Sequence, residues 1–464
     1  MVFSSIIFMF TFLPITLLLY YISPKKFKNL TLLLISLIFY AWGEPVYILL
    51  MLFTTVFDYF MGILINKNKD DNLISKKLFI FTIVVNIFIL GFFKYYGFLV
   101  DNINNLLSLN ISYSKLPLPI GISFYTFQTL SYVIDVYLGK VKVQKNFISF
   151  ALYVTMFPQL VAGPIVRYKD IDYQLTNRVE SINKFGEGVE KFLIGLGKKV
   201  LLANNIGFLW TTISAIEISN LSVVTSWIGI SAFTMQIYFD FSGYSDMAIG
   251  LGKMFGFEFI ENFNYPYVSK SVTEFWRRWH ISLGSWFREY IYIPLGGNRC
   301  SLKKQCRNLF VVWILTGFWH GASWNFVVWG LYYGFILFIE KMFLKNKLKS
   351  LPSFICHIYT MVLVIIGWVF FSIDNLSVGL EYLKVMFFVS GNPIIDNASI
   401  YYLYTNLILF ICLFIGSTPF VNKKFNKLKL ISDIYPILLN ILILFFSLSY
   451  LITETYNPFL YFRF

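Results

Sequence analysis

The chain has 464 residues, 57% of them hydrophobic and 20% aromatic, with only 13% charged and a mean hydropathy of +0.67. Soluble domains carry roughly one quarter charged residues, so a water-exposed globular surface is excluded. The net charge of +14 sits in short loops between apolar runs, where Lys and Arg set topology and meet anionic lipid head groups; no nucleic-acid partner is expected.

Apolar runs cover about 2–22, 29–41, 45–65 and 78–99, separated by Ser23–Lys28, the Trp42-Gly43-Glu44-Pro45 turn and a polar stretch from Asn66 to Lys77. The first run has neither a positive leader nor a small-residue cleavage site, so it reads as a retained span. The Lys/Arg bias of these connections places the N-terminus outside. Beyond Pro117 and Pro119 come a span near 120–138 and an apolar segment near 147–161, then a polar linker from Arg167 to Lys184. Helices are expected at about 185–214 and 222–256. From Asn262 to Arg307 aromatics alternate with charges and no run reaches spanning length, which predicts an interfacial or re-entrant segment. Apolar runs resume at about 308–324, 326–343, 354–373, 400–420 and 434–452, with basic loops at Lys341–Lys349 and Lys423–Lys429. The length rule predicts an all-α, polytopic protein with roughly eleven spanning or re-entrant helices, and no repeat or boundary divides residues 1–464.

Cys300, Cys306, Cys356 and Cys412 lack metal-type spacing, so neither zinc nor a structural disulfide is expected. Walker, Gly-x-Ser-x-Gly and His-Glu-x-x-His patterns are missing, which removes the usual equipment for nucleotide hydrolysis, serine hydrolase chemistry and zinc proteolysis.

The chain holds three histidines, at 280, 320 and 357. His320 lies in Thr316-Gly317-Phe318-Trp319-His320-Gly321-Ala322-Ser323-Trp324-Asn325, an apolar stretch where an ionisable group is costly and is a functional candidate. A neutral imidazole there can take a proton from a hydroxyl, which acyl transfer to an alcohol requires. Glycines beside it would let a thin acyl-carrying arm approach. The residues alone leave open a histidine merely hydrogen-bonded to its surroundings.

His280 follows Phe275-Trp276-Arg277-Arg278-Trp279 and precedes Arg288, so Arg277, Arg278 and Arg288 could bind the phosphates of a donor. An interfacial helix anchored by Trp and Arg fits the same residues. Asp240 and Asp246, in apolar surroundings, are expected to form structural ion pairs with arginines beyond Asn262, a reading favoured over that of a catalytic carboxylate. His357, beside a basic loop, reads as an interfacial residue.

Five segments then fall in one order: Pro119 to Gln128 (Pro-Ile-Gly-Ile-Ser-Phe-Tyr-Thr-Phe-Gln), Phe157 to Ile165 (Phe-Pro-Gln-Leu-Val-Ala-Gly-Pro-Ile), Gln236 to Asp246, Trp276 to Arg299, and Leu315 to Trp324. In these the chain resembles the membrane-bound O-acyltransferase (MBOAT) superfamily, within it the alginate O-acetyltransferase branch. The resemblance implies a helical bundle with a central tunnel in a bacterial cell membrane. It implies His320 as catalytic histidine, His280 as a second site residue, and acetyl-coenzyme A as cytoplasmic donor without a metal. The acceptor would be a cell-surface polysaccharide, reached with an extracytoplasmic acetyltransferase partner. A sister branch, which moves D-alanine to teichoic acids, shares the Phe-Trp-x-Arg-Trp-His core, whereas Tyr292-Ile293-Pro294-Leu295-Gly296-Gly297-Asn298 is closer to the acetyl branch. The tail at 457–464 is similar to the aromatic tail of the small membrane subunit of the D-alanine system, which suggests Tyr461 as an extracytoplasmic acyl relay. A polysaccharide or lipid-linked transporter is the rival from another class.

Overall fold

A computed structural model of the protein describes residues 2–114, 116–161, 163–431, 434–453 and 460. Every regular element among them is a helix and none is a strand, which keeps backbone donors and acceptors satisfied within each segment, as hydrocarbon demands. Seven helices among the described residues are long and apolar enough to cross a membrane: Ile48–Lys67, Asn72–Leu107, Ile182–Ser214, Trp324–Leu344, Ser353–Ser372, Asn397–Gly416 and Ile434–Thr453. Phe8–Ile22 is a shorter apolar helix. Large side chains such as Ile87, Phe88, Ile408 and Phe445 are more than half exposed, a surface suited to lipid.

The chain divides into two compact units, Met1–Phe192 with Ser245–Ile260, and Leu193–Tyr244 with Glu261–Phe464. In the first, Phe3, Phe8, Phe39 and Phe157 form an aromatic core. A polar knot closes near it: Arg178 Nε donates to the Tyr20 hydroxyl at 2.9 Å, that hydroxyl donates to Glu180 at 2.7 Å, and Lys28 pairs with Glu180 at 3.1 Å. The polar linker expected from Arg167 to Lys184 instead contains a helix, Tyr168–Asn177, because Tyr168, Ile171 and Leu175 recur on one face and are buried. Asp246 pairs with Lys191 at 3.0 Å rather than with an arginine beyond Asn262.

In the second unit Asp240 likewise finds a lysine: Lys199 Nζ lies 2.6 Å from its carboxylate, both side chains almost fully buried. Leu460 N–H also donates to Asp240, at 2.9 Å. A π-helical stretch, Lys198–Asn204, widens the Ile182–Ser214 helix there.

The Leu302–His320 and Trp324–Leu344 helices cross at glycine. A Cβ on Gly317 would stand 2.4 Å from the Phe326 carbonyl oxygen, and one on Gly330 would stand 2.4 Å from that of Trp313. Only hydrogen fits at these points, so the helices meet backbone to backbone. Gly321, beside His320, is close-packed as well: a Cβ there would lie 2.3 Å from the Phe326 ring.

Candidate active site

His320 is the last residue of its helix, and Gly321 leaves it in extended backbone. Its imidazole is 2% exposed and ringed by Trp319, Trp329 and Phe371, with centroids at 4.9, 5.0 and 5.1 Å.

His280 joins two seven-residue helices, Val272–Arg278 and Ile281–Phe287, in left-handed backbone with φ 44°. For a non-glycine residue that conformation costs on the order of 1–3 kcal/mol. Backbone bonds from Asn264 N–H to Arg278 O and from Ile281 N–H to Asn262 O, each 2.9 Å, fasten both sides of the corner. The Asn262 side-chain oxygen lies 3.1 Å from His280 Nδ1 and also accepts from Ser282 N–H and Oγ–H. An acceptor there selects the tautomer protonated on Nδ1 and makes Nε2 the basic nitrogen. Burial pushes the His280 imidazole down to about 3, so it is neutral at physiological pH. The Trp319 ring, already against His320, lies 5.8 Å from the His280 ring, so one indole touches both histidines.

The start of the Val272–Arg278 helix is held from a distance in sequence. Buried Glu340 accepts from Val272 N–H at 2.7 Å, Thr273 N–H at 2.8 Å and Thr273 Oγ–H at 2.6 Å. Its carboxylate thus occupies the positive end of the helix that carries Trp276 and Arg277 toward His280.

These elements enclose a cavity of about 710 Å³, within the span of small-molecule sites. His280 and His320 line it together with Arg277 and Arg288, so four of the sequence candidates share one space. Arg278 is not among the lining residues: its guanidinium is bound to Glu274 at 2.9 and 3.0 Å and to the Asn264 carbonyl at 3.0 Å. Tyr461 lies outside the described residues. His357 sits apart, its Nδ1 3.2 Å from the Ser269 carbonyl.

The cavity also recruits residues the sequence left unassigned. Lys270, Lys341, Lys345 and Lys349 line it with the two arginines, six cations against the carboxylates of Glu274 and Glu340. Both carboxylates are engaged by the Val272–Arg278 helix. Arg277, Arg288, Lys345 and Lys349 are exposed, and among the described residues none of them forms an ion pair. The site therefore runs from open cations to closed histidines, through walls of Trp276, Trp313 and Leu309. Such a gradient suits a ligand with an anionic end and a reactive end. Among the described residues no group of three His, Cys, Asp or Glu is placed to hold a metal.

Lipid-facing helices around a buried histidine reached past open cations define a multi-pass membrane protein with a cavity fit for an anionic ligand. The sequence profile of the membrane-bound O-acyltransferase family matches residues 140–381. The chain is 45% identical to the probable alginate O-acetylase of Pseudomonas aeruginosa over 394 residues, 83% of this chain and 75% of that one. It is 35% identical to the peptidoglycan O-acetyltransferase of Helicobacter pylori over 426 residues, 84% of this chain and 80% of the other. The teichoic acid D-alanyltransferase of Bacillus subtilis is 28% identical over 260 residues, covering 53% and 65%. The protein belongs to the membrane-bound O-acyltransferase family and is an O-acyltransferase of the bacterial cell membrane.

Proposed function

We propose that the protein takes acetyl from cytoplasmic acetyl-coenzyme A and delivers it across the membrane for O-acetylation of a cell-surface polysaccharide. The observation that carries this reading is the joining of His320, His280 and unpaired arginines and lysines in one cavity. Arg277 and Arg288, with Lys345 and Lys349, bind the donor's phosphates at the mouth, and the acetyl end lies toward the histidines. His320 is the general base: it takes the proton of the attacking hydroxyl as the new C–O ester bond forms and the thioester C–S bond breaks. The proton then passes to the departing thiolate, so charge and atoms balance. His280, neutral and oriented by Asn262, offers Nε2 as a second polar contact. The aromatic collar excludes water, which would otherwise hydrolyse the thioester.

The higher identity to the alginate and peptidoglycan O-acetyl enzymes than to the D-alanyltransferase supports acetyl as the group moved. A separate extracytoplasmic acetyltransferase completes delivery to the glycan in this reading. Tyr461 is its acyl relay: Leu460, one residue before, donates to Asp240, whose neighbour Phe241 lies edge-on to His280 at 4.7 Å. The attacking hydroxyl in the first step is then that of Tyr461.

Inverted membrane vesicles containing the protein and its acceptor test the proposal. Supplied outside with acetyl-labelled coenzyme A, they should accumulate label on enclosed glycan, with an acetylated Tyr461 peptide when the partner is omitted. Label that enters only from a D-alanyl carrier protein would refute the donor assignment.

A further inference from the structure

A second cavity, of about 410 Å³, opens between the Ile182–Ser214, Asn397–Gly416 and Ile434–Thr453 helices, and acyl transfer as described above does not use it. Its lining is Asn204, Asn205, Thr405, Asn406 and Tyr450 among the apolar Val200, Leu201, Phe208, Leu409 and Leu451. Three features set it apart from a packing defect. All three helices qualify as membrane spans, and Thr405 and Asn406 stand at the middle of theirs, where polar side chains are costly and tend to be functional. The lining contains no charged residue, so no fixed charge favours an ionic ligand over a neutral one. It also begins where the helix is π-wound, at Lys198–Asn204, a local widening that often accompanies a ligand site.

The hydrogen bonds define what the cavity presents. The Asn205 amide donates to the carbonyls of Val200 and Leu201, at 3.2 and 3.0 Å. Asn406 donates to the Tyr402 carbonyl and to Thr405 Oγ1, both at 3.0 Å, and the Thr405 hydroxyl donates to the Tyr401 carbonyl at 2.8 Å. Donors are thus spent on the helices' own atoms. The Asn205 and Asn406 side-chain oxygens accept from no donor among the described residues. An acceptor-rich, uncharged recess at hydrocarbon depth calls for a ligand with several neutral donors.

We infer that this cavity binds a neutral, hydroxyl-rich group, a sugar unit, through the Asn205 and Asn406 side-chain oxygens. The sugar could come from a glycan chain or from the head group of a glycolipid, since both offer the same hydroxyls. Binding is read without turnover, so the inference stands or falls separately from the acyl-transfer proposal.

The test uses the full chain in phosphatidylcholine nanodiscs. One arm titrates a labelled neutral tetrasaccharide of glucose; the other incorporates labelled diglucosyl diacylglycerol in the disc. Saturable binding in either arm, weakened at least tenfold by Asn205→Leu with Asn406→Leu, supports the inference and identifies the source by the arm that binds. Thr405→Val, a near-isosteric change on an exposed position, removes the hydroxyl that receives the Asn406 amide at 3.0 Å and so orients its oxygen; it should weaken binding about threefold to fivefold with an unchanged elution profile, which guards against misfolding of the double variant. No saturable binding in either arm, or binding indifferent to all three substitutions, overturns it.

Discussion

Glu340→Gln separates two ways in which this residue could serve the donor cavity. The carboxylate receives two backbone N–H groups and one hydroxyl at 2.6–2.8 Å while almost fully buried. Glutamine keeps one acceptor oxygen but puts an NH2 where the other stood, so at least one of the three donors faces a donor. Hydrogen bonds to a charged group are worth about 1.5–3 kcal/mol each, and a stranded buried donor costs about 1–3 kcal/mol. A loss of about 2–4 kcal/mol of stability follows, concentrated at the start of the Val272–Arg278 helix. By charge alone the substitution should help an anionic donor, since it removes a carboxylate from a cation-lined cavity. By geometry it should hurt, because Trp276 and Arg277 lose the anchor of their helix. The geometric effect is expected to win: a thermal unfolding midpoint several degrees lower in detergent, and kcat/KM for acetyl-coenzyme A reduced at least tenfold. Unchanged melting together with a lower KM would show that Glu340 acts only as a charge and would refute the anchoring argument.

Arg277→Ala and Arg288→Ala should each raise KM for the donor roughly fivefold, the ~1 kcal/mol scale of a solvent-facing ion pair, and the effect should shrink with added salt. Arg278→Ala, whose side chain is engaged by Glu274 and Asn264, should change KM less than about twofold by the same measure. The lowered pKa of His280 makes the unfolded chain bind more protons than the folded one as pH drops from about 6.5 to about 3, so its contribution is fully present above about 6.5. Stability should therefore fall through that window by up to ~1.4 kcal/mol per pH unit, and chemical denaturation of His280→Gln should show a shallower slope. Gly330→Val places a side chain against the Trp313 carbonyl, so the two helices must separate; unfolding in detergent should show a loss of about 1–3 kcal/mol, with transfer activity reduced.

Membrane character, helical class and both histidines of the cavity were legible in the sequence, because apolar run length and scarce ionisable residues are local signals. Arg277 and Arg278 show where local reading ends. Neighbours on a helix point about 100° apart, so the two need not share a role, and only the fold shows that Glu274 and the Asn264 carbonyl hold the second. The lysines at 341, 345 and 349 read as a topology-setting loop; their place beside Arg277 depends on contacts across more than sixty positions, as the bonds from Val272 and Thr273 to Glu340 show. Lys199 carried a usable signal, a cation followed directly by an apolar run, and it answers Asp240. The Tyr168–Asn177 helix was hidden by its polar composition, although its apolar residues keep helical spacing.

The central claim is that one cavity binds the donor through its cations and turns it over through His320. Paired measurements on His320→Gln test it: the dissociation constant for acetyl-coenzyme A and the single-turnover rate of acetyl transfer. Donor binding within about threefold of the unaltered protein, with transfer slowed by about 10²-fold or more, is the result predicted for loss of a general base. Transfer that survives in His320→Gln at near its original rate would contradict the account.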